Sequence, residues 1–167
     1  MGAALADFLR YDRWATLALI DGCSGLTDEQ LDAHAPGASG SVREVFVHVV
    51  GGMQTSALRT KGRQHEGELH RESTWPGFAA LREIAARTGD ELVAIAESLD
   101  DQAEVDLRYR GKTYRYPTRQ FLVHAVEHGV EHRTEIKVSL AQLGVATPDL
   151  DGWFFSAAMG YGKEVPS

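Results

Sequence analysis

From Thr118 to Leu143 the chain sets His124, His128, His132, Ile136 and Leu140 at a constant step of four residues. On a helix such a step overshoots a full turn by about 40°, so neighbours share a face while His124 and His132 diverge by roughly 80°. His128 and His132 lead straight into Ile136 and Leu140, which places these two imidazoles on the face that becomes core. Burying them constrains the whole fold. Each buried polar group left without a partner costs about 1–3 kcal/mol, so other helices must bring partners to this face.

Those helices are readable. Leu5, Phe8, Leu9, Trp14, Leu17 and Ile20 recur at helical steps between Ala3 and Asp21. Thr27 with Gln30 has the capping-box spacing of a short helical turn, and Pro36, Gly37 and Gly40 then break the chain. Ser41 with Glu44 opens a second long helix with the stripe Val42, Val45, Phe46, Val49 and Met53, and His48 lies inside it. Residues Lys61 to Pro76 form a polar crossover, and Phe78 to Leu99 resumes the helical period. Val105, Leu107 and Tyr109, then Tyr114 and Tyr116, alternate about Gly111, which predicts a short β-hairpin at 104–116 that leans on the helices. The histidine helix covers Thr118 to Leu143. A short C-terminal helix from Pro148 to Met159 is expected to carry Trp153, Phe154 and Met159 back onto the bundle. The fold class is therefore all-α, with one domain over 1–167.

Composition removes several function classes. A chain of 167 residues leaves no room for a separate cofactor domain. Its 24 acidic residues against 17 basic ones give a net charge of -7, a poor host for a polyanion, so no nucleic-acid partner is expected. The cluster Arg108, Arg110, Lys112, Arg115 and Arg119, interleaved with Tyr109, Tyr114 and Tyr116, reads as the solvent face of the hairpin. No stretch approaches the ~18 apolar residues of a membrane span, and Met1 to Ala6 carries no signal-peptide pattern, so no membrane partner and a cytoplasmic location are expected. The single cysteine, Cys23, excludes an internal disulfide and a cysteine-rich metal site, and reads as a small buried hydrophobe.

Seven histidines remain to be sorted. His34 falls in a Pro/Gly loop, His65 and His70 in the polar crossover, and His124 at the edge of the buried stripe. A divalent ion shared by His128 and His132 would remove the cost of burying them, but such sites usually take three protein ligands. His48, within the apolar run Val45 to Val50, is the best third candidate. Spacing leaves two readings open: three metal ligands, or hydrogen-bonded core histidines that happen to share a face. Glu127 and Glu131 flank the histidines, as partners of an imidazole or as a solvated face. Trp14, Phe46, Trp153 and Phe154 are read as core.

Four segments together resemble the DinB-like (DinB/YfiT) superfamily of small helical metal-binding proteins. They are Val47-His48-Val49, the run from His124 through His128 to His132-Arg133, Leu140-Ala-Gln-Leu-Gly144, and Pro148-Asp-Leu-Asp151. The resemblance departs at Thr134, where the family often has glycine. It implies a four-helix bundle with crossover connections, commonly a homodimer, and a metal triad on His48, His128 and His132, with zinc or nickel as the usual ion. It further implies a metal-dependent transferase that joins a small thiol, mycothiol or bacillithiol, to an electrophile. A divalent ion with an open position would lower the pKa of such a thiol, so no protein cysteine is needed. Two alternatives stand beside it: a hydrolase using metal-activated water, and a non-catalytic metal-binding or interaction module.

Overall fold

Four long helices form the body. In the computed structural model, which describes residues 2–64, 67–70, 73–162 and 164–165, they are α1 (Gly2–Gly22), α3 (Val42–Arg59), α4 (Phe78–Ser98) and α5 (Arg119–Gln142). The short α2 (Asp28–Leu31) precedes α3, the hairpin β1 (Glu104–Tyr109) and β2 (Lys112–Pro117) joins α4 to α5, and α6 (Gly152–Ala158) follows. The capping residues act as their spacing predicts. Thr27 Oγ1 accepts from Gln30 N while Gln30 Oε1 accepts from Thr27 N, and the Glu44 carboxylate accepts from both Ser41 N and Ser41 Oγ.

Around the bundle the order is α1, α4, α3, α5, with each helix packed on its two ring neighbours. Arg13 pairs with Asp90 and Arg82 with Asp21, so α1 and α4 run antiparallel. Phe46 meets Phe78 and Lys61 meets Glu91, so α3 and α4 run parallel. A parallel pair of consecutive helices requires a crossover, and the polar segment after Arg59 provides it. Gln54 holds this segment down by accepting from Leu69 N at 2.9 Å.

Two apolar clusters fill the interior. One gathers Leu19, Ile20, Val45, Phe46, Val49, Leu81, Ile136 and Leu140; the other gathers Ala6, Leu9, Met53, Leu92, Leu122 and Ala125. Between them on α5 lie His128, Gly129, His132 and Arg133, and between them on α1 lies Asp12. The bundle therefore has a polar waist. On its α1 side Arg133 Nη1 donates to Asp12 Oδ1 at 2.6 Å and to Thr16 Oγ1 at 2.8 Å, with both charged side chains almost fully buried. Burial pushes the Asp12 pKa up, and Arg133 opposes that shift. Gly129 is what lets the helices meet here, because a Cβ on it would overlap Asp12 Oδ1 and stand 2.6 Å from Arg133 Nη1.

The hairpin is closed by a two-residue turn with positive φ at Arg110 (48°) and Gly111 (77°), the requirement of a type I′ turn. It leans on the bundle through buried Leu107 and the edge-to-face contact of Tyr116 with Phe121. Arg108, Arg110, Lys112 and Arg115 are exposed, whereas Arg119 is half-buried and donates to the Asp101 carbonyl. No helix among the described residues is long and apolar enough to cross a membrane.

Two expectations are corrected. The C-terminal helix begins at Gly152, not Pro148, because the Asp151 carboxylate caps it by accepting from Trp153 N and Phe154 N. With seven residues it turns a single aromatic inward: Phe155 packs on Tyr11 and Trp14, while Trp153 is 85% exposed and Phe154 51%. On α1, Ala6 and Leu9 face the core and Phe8 stands 60% exposed beside α5.

Removing one member of the waist ion pair tests its weight. Asp12→Ala leaves Arg133 buried and uncompensated, and the expected loss is about 3–5 kcal/mol in the unfolding free energy from urea titration. A loss below 1 kcal/mol would show that water relieves the arginine.

Candidate metal centre

The opposite side of the waist holds the histidines. His48 sits midway along α3, and its neighbours Val47, Val49 and Val50 are buried, so the helix cannot rotate it away without exposing core. His128 and His132 approach from α5. Ring centroids lie 4.7 Å apart for His48 and His128, 4.6 Å for His48 and His132, and 4.5 Å for His128 and His132, an almost equilateral triangle. His48 Nε2 and His128 Nε2 face each other at 3.0 Å, and one ligand nitrogen from each of the three rings lies within 4.8 Å of the others. Among the described residues no other group of three His, Cys, Asp or Glu side chains converges in this way.

Close approach of α3 and α5 depends on Gly52, where a Cβ would stand 2.5 Å from His128 Cε1. Burial drives the pKa of His128 down to about 3, assisted by the neighbouring His132, His48 and His124 and by Arg133. His128 is therefore neutral at physiological pH, with a lone pair available, which is the form in which imidazole binds metal.

His132 is oriented by a residue outside the sequence-derived candidates. Its Nδ1 donates to Glu135 Oε2 at 2.6 Å, which leaves Nε2 for the centre of the triangle. Glu135 in turn accepts from Ser39 N and, at 3.2 Å, from Ser39 Oγ. Burial raises the Glu135 pKa, but the hydrogen bonds from Ser39 and His132 outweigh it and hold the carboxyl below its usual range. Glu127 and Glu131, one residue ahead of each histidine, are exposed. The i,i+3 step from His132 to Glu135 is shared by His128 with Glu131 and His124 with Glu127, so it is burial and the contact with Ser39 that single out Glu135.

The remaining histidines separate as their sequence contexts suggest. His124 is 41% exposed and lies outside the triangle, with its ring 5.3 Å from that of His128. His34 is exposed and donates to the Ala38 carbonyl, and His70 is exposed and bonded to Ser73. His65 lies outside the described residues. Cys23 is buried in the core, where its thiol pKa is pushed up to about 11, so it offers no thiolate.

The donor set fits a divalent ion. Ligands held about 2.0–2.1 Å from a shared tetrahedral ion stand roughly 3.3 Å apart, close to the facing His48 and His128 nitrogens. Fold and site together define a four-helix bundle whose waist carries a three-histidine centre between two antiparallel helices. The chain belongs to the DinB family, whose model matches residues 1–163. Its fold is similar to that of a DinB-like protein from Bacillus cereus ATCC 10987, solved at 2.01 Å resolution, with a TM-score of 0.62 and 21% identity over 83% of this chain and 90% of that one. No curated protein matches. Thr134, the departure from the family pattern, is exposed and donates to the Val130 carbonyl, away from the triangle.

The neutral state of His128 has a measurable sign. As pH falls through about 6.5 the unfolded chain takes up a proton that the folded ring refuses until about pH 3, so metal-free protein should lose stability across that window. The slope should fall short of the ~1.4 kcal/mol per pH unit of one whole proton, because the ring is partly open to solvent. Comparing urea midpoints at neutral and mildly acidic pH for wild type and His128→Gln, the variant should show the smaller loss.

Proposed function

We propose that the protein is a divalent-metal-dependent thiol S-transferase, or a closely related detoxification enzyme. In this reading His48, His128 and His132 hold zinc or nickel, and mycothiol or bacillithiol supplies the sulfur. The observation that carries it is the triangle of imidazoles, with His128 kept neutral by burial and His132 aimed by Glu135. Such an ion lowers the pKa of a thiol that binds to it. The thiol gives up its proton, a sulfur–carbon bond forms, and the leaving group of the electrophile departs with the bonding pair. The chain's own part is to hold the ligand set rigid: Gly52 lets α3 approach, and Glu135 fixes the tautomer of His132. Inert Cys23 accords with sulfur brought in by a small molecule.

Purified protein should contain stoichiometric zinc or nickel by elemental analysis, and His48→Ala and His128→Ala should each lose most of it. The metal-loaded wild type should consume a model electrophile only when mycothiol or bacillithiol is present. Undiminished metal in both variants would sink the ligand assignment. Turnover without thiol would point to the hydrolase, and none with either thiol over a broad panel to a binding module.

We also propose that the bundle pairs with a second copy of itself. Apolar grooves of about 400 and 520 Å³ run along the α1–α5 face, bordered by Phe8, Val123, Val126 and Val130. Light scattering should give the mass of a dimer, and Phe8→Glu should give a monomer.

A further inference from the structure

A cleft of about 370 Å³ opens where the C-terminal end of α3, the hairpin and the start of α5 meet. Its chemistry is uneven. Phe121, Tyr109 and Tyr116 offer aromatic surface, Gln120 a polar amide, and Arg59 the positive charge, while none of the described residues lining it is acidic. In a chain of net charge -7, the other half-buried arginines have partners: Arg10 pairs with Asp7 and Glu97, Arg13 with Asp90, and Arg43 with Asp28 and Asp32, while Arg119 donates to the Asp101 carbonyl. Arg59 is half-buried too, and while its carbonyl accepts from Gly62 N, its side chain makes no ion pair or hydrogen bond among the described residues. A guanidinium on the wall of a cleft with no carboxylate opposite is a receptor for one, since its planar donors match a carboxylate in two parallel hydrogen bonds. The cleft is also joined to the triangle: His124 lines it, and the His124 ring lies 5.3 Å from that of His128.

We infer that this cleft binds a small carboxylate-bearing aromatic or otherwise planar ligand, its carboxylate on Arg59 and its apolar part against Phe121 and the hairpin tyrosines. The volume, at the lower end of the range for ligand pockets, suits a single small molecule. The inference deepens the transferase reading and rests on it only for the reaction: the anchored carboxylate belongs to a substrate, and His124 marks the passage from anchor to reacting atoms. The same anchor serves a carboxylate on the thiol or on the electrophile, and kinetics separate the two.

Benzoate and its neutral analogue benzamide are suitable probes, titrated into the full chain and followed by NMR. Benzoate should shift the resonances of Arg59, Tyr116, Phe121 and His124 and benzamide should not. Arg59→Met should weaken benzoate about tenfold or more, the size of losing a charged hydrogen-bond pair, with Arg59→Lys between. The response should survive in His128→Gln protein lacking metal. Equal response to benzamide, indifference to Arg59→Met, or loss of binding with the metal would each overturn the assignment. Under turnover, Arg59→Met should raise the KM of the substrate that carries the carboxylate, thiol or electrophile, with kcat less affected; unchanged KM for both would count against it. Benzoate binding without thiol transfer would leave the cleft standing and remove the transferase reading alone.

Discussion

The buried contact of Arg133 with Asp12 fixes how α5 sits between its neighbours. α5 is packed against both α1 and α3, and a helix in that position can bury an apolar stripe at several rotations about its axis. An ion pair with less than 5% of either side chain exposed removes that freedom, because any rotation strands a charge in the core. Gly129, one turn before Arg133, brings the α1 backbone close enough for the pair to form. With one face of α5 fixed on α1, His128 and His132 must face α3. The pair thus specifies geometry more than it adds stability, since burying two charges has its own desolvation cost.

The triangle has the opposite electrostatic character. Three imidazoles with centroids under 5 Å apart tolerate little positive charge among them, and the Arg133 guanidinium stands behind. A small hydrophobic domain gains nothing in packing from such a layer, since aliphatic residues of similar volume would fill it without polar atoms to satisfy. What the layer provides is a set of converging imidazole nitrogens on two rigid helices. Glu135, held by Ser39 from the loop before α3, orients one of them and ties that loop to the same helix.

Much of this was legible in the sequence, and the limits have physical causes. Long helices with a strong period, the hairpin and the capping boxes are local features, written within a few residues of where they act. His48 stands out as a partner for His128 and His132 because it lies within the apolar run Val45 to Val50, while His34, His65 and His70 fall in polar or Pro/Gly segments. Asp12 was not legible: it lies 121 residues from Arg133, and nothing near it on α1 distinguishes a buried partner from a surface aspartate. Glu135 was not legible either: Glu127, Glu131 and Glu135 each follow a histidine by three residues, and only burial and the distant Ser39 set Glu135 apart. Aromatic content alone does not place Trp153 and Phe154, because Asp151 fixes where the helix starts and so which aromatic turns inward.

The same helix explains how the cleft and the histidine triangle come to adjoin. At about 1.5 Å rise per residue, His124, His128 and His132 span roughly 12 Å of α5, and the drift of about 40° per four residues turns His124 away from the other two. The drift that excludes His124 from the triangle is what carries it into the cleft beneath the hairpin, beside Phe121. One wall of the cleft and two sides of the triangle therefore lie on the same helix, and their spacing follows helix geometry. Any change that rotates α5, beginning with loss of the Asp12 contact, would disturb the triangle and the cleft together.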